Sequence, residues 1–315
     1  MRVAVFGAGL MGHALALVYA LGGHTVRITD SDGAVLARSV QLMRMALATL
    51  RKGGEVHASW TDARLAANVT PCATAAETLD QAGLIVEAIT ERPEPKRALY
   101  AEIDAVAPAD AIIASNTSAL DIFPLLPERR QSRCLIAHWY SPPYLVDLCD
   151  IVGGEHTDPA VVETVRTMVA DMGKVPVVMK KFIPGYIANR VQGAIWLEVN
   201  MLLDQGYADP RDIDDAIIHG LALRLPVLGH LAKADFMGLM LLYEGMRNAD
   251  YLPPPPRSHS ETLDRLIAGG STGVSAGKGY FDWGGRSPAE LFRERDRRLL
   301  ALKQALRTIG TLRGE

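Results

Sequence analysis

The stretch that decides the fold is residues 2–30, RVAVFGAGLMGHALALVYALGGHTVRITD. A short apolar run, residues 2–6, opens directly into three glycines with the spacing GxGxxG, and an apolar helical stretch, residues 14–21, follows. A second strand-like run, residues 25–28, ends at Asp30, which lies 18 positions after Gly12. A strand, a glycine-rich turn, a helix and a second strand that closes on an acid predict a β-α-β unit that binds a dinucleotide.

The glycines of this turn have separate tasks. Gly7 allows the tight turn from strand to helix, Gly9 lets the backbone approach a pyrophosphate, and Gly12 lets the helix pack close to the strand. The phosphates would then bind the N–H groups at the helix N-terminus, where Leu10 and Met11 lie. We therefore expect all five residues to contact the cofactor.

Asp30 indicates which dinucleotide is bound. A carboxylate at this position accepts hydrogen bonds from the adenosine ribose hydroxyls and repels a 2′-phosphate. Arg27 precedes it on the strand, and no arginine follows it closely enough to bind that phosphate. The sequence therefore favours NAD over NADP.

The composition limits the class of protein. A length of 315 residues favours two domains, and 49% hydrophobic with 22% charged residues is typical of a globular protein. A net charge of −3 without a basic stripe argues against nucleic acid, and no apolar run reaches the roughly 18 residues of a membrane span. Three cysteines without CxxC spacing favour a reducing compartment, and we expect a cytoplasmic protein. The eight histidines form no metal-ligand pair, so we expect no metal site.

The order of segments predicts an α/β protein. Strand-like runs alternate with helical ones up to about residue 180, which indicates a doubly wound parallel sheet of the Rossmann type. The remaining segments are helical. We expect an NAD-binding domain over 1–182 and an all-α substrate and dimerisation domain over 183–315, with a long helix over 184–205 and a buried segment over 230–248. The expected strands are residues 2–6, 25–28, 68–71, 84–87, 112–115, 135–139 and 175–179.

A second group of polar residues lies between residues 115 and 155. Ligands sit at the carboxyl ends of parallel strands, and both Ser118 and His138 follow such ends. Oxidation of an alcohol needs a base for the hydroxyl proton, and histidine titrates in the right range. That base needs a carboxylate partner, for which Asp150, Asp147 and Glu155 are the local candidates.

Several motifs together resemble the 3-hydroxyacyl-CoA dehydrogenases, and their order and spacing cover nearly the whole chain. They are GAGLMG at 7–12, VEA at 86–88 with Glu91, SNTS at 115–118, His138 with Ser141-Pro142, PGYIANR at 184–190 and GKGYFDW at 277–283. The resemblance implies NAD as the cofactor and oxidation of a 3-hydroxyacyl-CoA to the 3-oxo product, within fatty acid metabolism. It also implies a homodimer formed through the C-terminal domain.

The resemblance also implies individual roles. His138 matches the general base and Asp150 its usual glutamate partner. Ser118 and Asn189 match polar residues that contact the substrate oxygen and the nicotinamide region. The remaining matches are cofactor contacts at Glu91, Lys96, Asn116 and Ser118 and a substrate contact at Ser141. Glu91 and Lys96 are equally consistent with ordinary charges at a helix N-terminus or in solvent.

Two departures from the family pattern fall at the reacting centre. Ser141 replaces the usual asparagine, and a hydroxyl reaches less far than an amide. Asp150 is one methylene shorter than glutamate. Both changes suggest an unusual substrate.

Two classes of substrate are therefore considered, and the CoA thioester comes first because the motif match is closest there. One is the CoA thioester, and the other is a free small 3-hydroxy acid or alcohol such as L-gulonate, L-carnitine or a small aromatic alcohol. The segment 31–67 is only mildly basic for a CoA-binding surface. A crystallin-like protein that keeps NAD binding without turnover is a further alternative.

Overall fold

The chain forms two compact units in the computed structural model, which describes residues 1–248 and 252–312. The first unit is Met1–Ile187 and the second is Ala188–Glu315. Each unit has its own secondary structure, α/β in the first and helical in the second.

The first unit contains an eight-stranded sheet in the order β3-β2-β1-β4-β5-β6-β7-β8. The strands are β1 (Arg2–Phe6), β2 (Thr25–Thr29), β3 (Val69–Pro71), β4 (Leu84–Glu87), β5 (Ile112–Ser115), β6 (Cys134–Trp139), β7 (Leu148–Gly153) and β8 (Val175–Met179). Strand β1 pairs with β2 on one side and with β4 on the other, both in parallel. The strand order thus reverses at β1, and the crevice at such a reversal is where doubly wound sheets bind ligands.

The helices that accompany this sheet are α1 (Gly12–Leu21), α2 (Gly33–Lys52), α3 (Asp62–Asn68), α4 (Ala75–Leu79), α5 (Pro93–Val106), α6 (Glu128–Gln131) and α7 (Pro159–Asp171). Strands β4 and β5 are buried along their whole length, and nine of the ten residues of α1 are buried. Central parallel strands are covered on both faces, which explains why their sequences are continuous apolar runs.

The sheet is not parallel throughout. Strand β7 runs antiparallel to β6, and β8 runs parallel to β7, so the last two strands oppose the other six. The predicted parallel sheet is confirmed for β1 to β6, whereas the antiparallel edge was not predicted, because residues 148–153 were not expected to form a strand. Its sequence, LCDIVG, carries a carboxylate in an apolar run, and the turn before it is short enough to return the chain directly.

The second unit is built from α8 (Ala188–Asp204), α9 (Pro210–Asp215), a π-helical segment (Ala216–Ala222), α10 (Leu225–Met237), α11 (Leu239–Met246), α12 (Glu261–Ala268) and α13 (Pro288–Ile309). Helix α8 begins at Ala188 and not at residue 184, since Gly185 and Tyr186 both have positive φ angles that an α-helix cannot contain. The Asp204 carboxylate at the end of α8 accepts hydrogen bonds from Ser260 and from the Thr262 N–H at the start of α12.

The segment over 230–248 is not buried, contrary to expectation. Leu231 is 82% exposed and Met240 is 67% exposed. Apolar composition indicated a core, but within the single chain these helices leave their apolar side chains uncovered.

No single helix among the described residues is long and apolar enough to cross a membrane. Helices α10 and α11 meet that criterion only as a pair, and they are bent by 85° at their junction.

Candidate active site

The glycine-rich turn lies at the carboxyl end of β1. Gly7 has φ +92°, and a Cβ on it would meet the carbonyl oxygen of Ala88 at 2.4 Å. A Cβ on Gly12 would lie 1.7 Å from the Gly7 carbonyl oxygen, so both positions require glycine. A Cβ on Gly9 would meet nothing within 4 Å. The protein itself therefore does not demand glycine at residue 9, whereas a ligand that approaches the backbone there would.

A cleft of about 820 Å³ opens beside this turn. Residues from the ends of β1, β2 and β4 line it, among them Gly7, Gly9, Asp30 and Thr90. Leu10 is exposed and Met11 is half-buried, and their backbone belongs to the turn that starts α1. The first N–H groups of a helix have no partner within it, so this end of α1 is able to bind an anion.

Asp30 holds the turn in place. Its Oδ2 accepts a hydrogen bond of 2.7 Å from the Ala8 N–H, and its Oδ1 accepts one of 2.9 Å from the Asp32 N–H. The carboxylate borders the cleft where a ribose would have to bind. Its position and charge fit the role predicted from the sequence.

A buried ion pair joins the end of β4 to α5. The Lys96 ammonium is 2.7 Å from Oε1 of Glu87, and the side chains are 1% and 0% exposed. Glu87 also accepts hydrogen bonds from the hydroxyls of Tyr100 and Ser115. The alternative of a solvent-facing charge is thus wrong for Lys96. Glu87 was quoted only within the VEA motif and was given no role, although an acid at the end of an apolar strand is itself a signal of a paired buried charge.

Glu91 organises the loop after β5. Its Oε1 accepts hydrogen bonds from the Thr117 hydroxyl and from the N–H groups of Ser118 and Ala119. Burial by itself would raise the pKa of Glu91, but these hydrogen bonds and the Lys96 charge outweigh it and hold the pKa below its usual value. The carboxylate therefore stays ionised and fixes Ser118 in space.

Asn116 joins the ends of two neighbouring strands. Its side-chain oxygen accepts a hydrogen bond of 2.8 Å from the Trp139 N–H. The residue predicted to contact the cofactor thus also fixes the end of β6, directly after His138.

The structure brings Ser118, His138 and Asp150 together. Ser118 Oγ lies 3.3 Å from His138 Nε2, within hydrogen-bond distance. On the other side of the ring, His138 Nδ1 lies 3.7 Å from Asp150 Oδ2. His138 and Asp150 face each other across the antiparallel β6–β7 pair, which explains a proximity that the sequence spacing alone could not give.

The distance between His138 and Asp150 is longer than a hydrogen bond. Both Nδ1 of His138 and Oδ1 of Asp150 are buried, and neither has a hydrogen-bond partner among the described residues. An aspartate on a fixed strand stops short of the imidazole, where a side chain longer by one methylene would reach further. The other two carboxylate candidates are not in this contact, since Asp147 pairs with Lys174 at 2.9 Å and Glu155 belongs to the loop after β7.

Two tyrosines that the sequence analysis missed hold the His138 ring. The Tyr140 ring meets it edge-on with centroids 4.6 Å apart, and the Tyr186 ring lies 4.7 Å away at 38°. The Tyr186 hydroxyl donates a hydrogen bond of 2.6 Å to the Thr117 carbonyl, and the Tyr140 hydroxyl donates one of 2.6 Å to Asp150 Oδ2. Burial first, and then the charges of Glu91 and Asp150, raise the pKa of Tyr186, so it remains a neutral donor. Tyr140 lies one residue beyond the end of β6, so no strand period assigned it to the site.

The two remaining predicted substrate contacts are placed separately. Ser141 is exposed in the turn between β6 and β7, and Asn189 belongs to the first turn of α8 in the second unit.

Both domain models of one protein family match this chain. The 3-hydroxyacyl-CoA dehydrogenase NAD-binding domain matches residues 2–182, and the C-terminal domain of the same family matches residues 185–283. The chain belongs to the 3-hydroxyacyl-CoA dehydrogenase family. It is an NAD-dependent oxidoreductase, as the glycine-rich turn and Asp30 predicted.

Three proteins that are similar to this chain are named for different substrates. An L-carnitine dehydrogenase of Streptomyces griseus is 31% identical, over 99% of this chain and 90% of its own. A solved structure of 5-formyl-3-hydroxy-2-methylpyridine 4-carboxylic acid 5-dehydrogenase, described as an NAD⁺-dependent dismutase, is 26% identical. It superposes with a TM-score of 0.87 over 97% of this chain and 98% of that one. The 3-hydroxybutyryl-CoA dehydrogenase of Escherichia coli K12 is also 26% identical, with a TM-score of 0.69 over 91% of this chain and 60% of that one.

NAD fits the residues of the first unit. Gly9 leaves room that no protein atom fills, and the cleft has a carboxylate at one end and the start of a helix beside it. Gly7, Gly9, Leu10, Met11 and Gly12 would hold the pyrophosphate through their backbone. When bound, NAD supplies the hydride acceptor that oxidation of an alcohol requires.

Proposed function

We propose that the protein oxidises the alcohol of a small free substrate, and not of a CoA thioester, with His138 as the general base. The observation that carries the choice of substrate class is the end-to-end similarity to the pyridine carboxylate dehydrogenase, with a TM-score of 0.87 against 0.69 for the CoA enzyme. The similarity to L-carnitine dehydrogenase over 99% of this chain supports the same class.

The proposed chemistry starts from the Ser118–His138 pair. Nε2 of His138 and Oγ of Ser118 lie 3.3 Å apart, so a substrate hydroxyl beside the pair could contact both. His138 takes the hydroxyl proton as hydride leaves the carbon, and the Ser118 hydroxyl orients the oxygen. The Asp150 carboxylate, 3.7 Å from Nδ1, stabilises the imidazolium that forms. We assign Asn189 and Ser141 to substrate contacts from the resemblance alone.

Glu91 and Lys96 act in this proposal by supporting the site. Glu91 fixes the loop that carries Ser118, and Lys96 neutralises Glu87 at the end of β4. Asn116 fixes the end of the strand that carries His138.

The segment after β2 also favours a substrate without CoA. Two of its basic side chains are engaged locally, since Arg44 pairs with Asp62 and Arg64 lies over the Trp60 ring and binds Ser59. A surface that recognises the CoA phosphates would need cations directed at the ligand.

The decisive experiment compares kcat/KM for NADH formation across a panel. The panel holds L-carnitine, L-gulonate, free (S)-3-hydroxybutyrate, a small aromatic alcohol and (S)-3-hydroxybutyryl-CoA, with His138→Ala as the control for contaminating activity. We expect at least one free compound to exceed the thioester by about tenfold or more. Preference for the thioester would overturn the substrate class, and no turnover with any compound would contradict the proposal as a whole.

We further propose that two chains pair through the second unit. Helices α10 and α11 expose a run of large apolar side chains, including Leu231, Phe236 and Met240, and such patches are typical of interfaces.

We also propose a cytoplasmic location, which is supported by three buried free cysteines at positions 72, 134 and 149.

A further inference from the structure

We propose that Tyr140 is a positioning residue for the His138–Asp150 pair. Its hydroxyl holds the Asp150 carboxylate in the orientation that faces the imidazole, because this short acid does not reach the imidazole itself. The inference rests on the proposed function, because it concerns the base of the same reaction. The observation behind it is the hydrogen bond of 2.6 Å from Tyr140 Oη to Asp150 Oδ2, the oxygen that faces His138.

Asp150 is buried beside His138. Its side chain is 1% exposed, and a carboxylate in such surroundings needs donors to compensate for lost water. Its Oδ1 has no hydrogen-bond partner among the described residues, and His138 Nδ1 is beyond hydrogen-bond distance. Tyr140 therefore provides the hydrogen bond on which the orientation of this carboxylate depends.

Tyr140 contacts both members of the pair. Its ring meets His138 edge-on at 4.6 Å while its hydroxyl binds Asp150. One rigid side chain thus holds the carboxylate in the orientation that faces the imidazole. The Tyr186 ring also packs against the imidazole. A glutamate at residue 150 would reach the imidazole directly and would need this support less.

This arrangement of Tyr140, His138 and Asp150 acts during proton transfer. Once His138 accepts a proton, Nδ1 and Nε2 both carry hydrogens, and the imidazolium is attracted to a carboxylate already held 3.7 Å away. Without the Tyr140 hydroxyl the carboxylate could rotate. The free energy spent on reorienting it would then reduce the net stabilisation of the imidazolium.

The test is a double-mutant cycle with Tyr140→Phe, Asp150→Glu and the double variant, measured as kcat and as KM for NAD with the best substrate of the panel. We expect Tyr140→Phe to lower kcat by about tenfold, the value of one hydrogen bond to a charged group, with KM for NAD unchanged. In the Asp150→Glu background the same change should cost less than about twofold. Tyr207→Phe, at a tyrosine that is 68% exposed in the second unit, is the matched control and should leave both constants unchanged.

A loss of equal size in both backgrounds would overturn the proposal, as would no loss in the first, because either result would make Tyr140 independent of the length of the acid. A second readout does not depend on turnover. The ¹⁵N resonances of the His138 imidazole should shift in Tyr140→Phe and stay in place in Tyr207→Phe. If the panel fails and the proposed function falls with it, unchanged resonances in Tyr140→Phe would still refute the positioning role, and shifted ones would support it.

Discussion

The Lys96 ammonium lies 2.7 Å from Glu87 Oε1, and neither side chain is more than 1% exposed. A buried pair of this kind adds little net stability, but removing one partner leaves an uncompensated charge. We expect Lys96→Met to destabilise the first unit by about 3–5 kcal/mol, measured by urea unfolding. The double variant Glu87→Gln/Lys96→Met removes the unpaired charge and keeps an oxygen acceptor for the Tyr100 and Ser115 hydroxyls, so it should recover most of that loss. A variant of the exposed Arg166–Glu163 pair should change little. A double variant as unstable as the single one would argue against the unpaired charge as the cause.

Asp30 should control the choice between NADH and NADPH. Because its carboxylate borders the cleft and repels a 2′-phosphate, the wild-type protein should bind NADH more tightly, as measured by fluorescence titration of both cofactors. Asp30→Asn keeps an oxygen for the Ala8 N–H and removes the charge, so the ratio of the two Kd values should fall. An unchanged ratio would show that another group discriminates.

His138→Ala should slow turnover by about 10² to 10⁴, because the reaction loses its general base. NADH binding should be unaffected, since His138 lies outside the residues that line the cofactor cleft. Asp150→Asn keeps the shape of the side chain and removes the charge that stabilises the imidazolium, so kcat should fall there too. Turnover close to the wild-type rate in His138→Ala would contradict the mechanism.

The helical unit should form a homodimer, observable as twice the chain mass by light scattering. Leu231→Asp places a charge at a side chain that is 82% exposed in the single chain, and it should shift the protein towards monomer without unfolding it. A monomer mass for the wild-type protein at working concentration would refute the pairing.

A fall in pH should destabilise the second unit, because the Asp204 carboxylate becomes protonated. Burial favours the protonated form, but hydrogen bonds from Thr262 and Ser260 and the charge of Arg257 outweigh it and lower the pKa of Asp204 to about 2. Because this pKa lies below the unfolded value of about 3.9, the stabilisation is complete above that pH and is lost as the pH falls towards 2. Asp204→Asn should therefore lower the unfolding midpoint at pH 6, and its difference from the wild-type protein should shrink below about pH 4.

The sequence predicted the elements that carry strong local signals. The glycine-rich turn, β1, α1 and Asp30 are fixed by backbone sterics within 30 residues, and the pattern reports those sterics directly. The pairing of His138 with Asp150 came from resemblance, because the antiparallel return of β7 is a contact between strands that no local period records. Tyr140 was overlooked for the same reason, since its partner lies on the neighbouring strand. The apolar side chains of α10 and α11 are exposed in the single chain, so an apolar sequence pattern alone did not predict their burial correctly.

The reversal of β7 has a consequence for how this site can change over time. The register places His138 directly opposite Asp150, so the main-chain positions of the two residues are set by strand pairing and do not depend on either side chain. Exchanging one acid for another, or a phenylalanine for a tyrosine beside it, alters reach and charge without moving the frame on which they stand. Single substitutions at these positions can therefore change the chemistry of the site, while the main chain that carries the general base keeps its position.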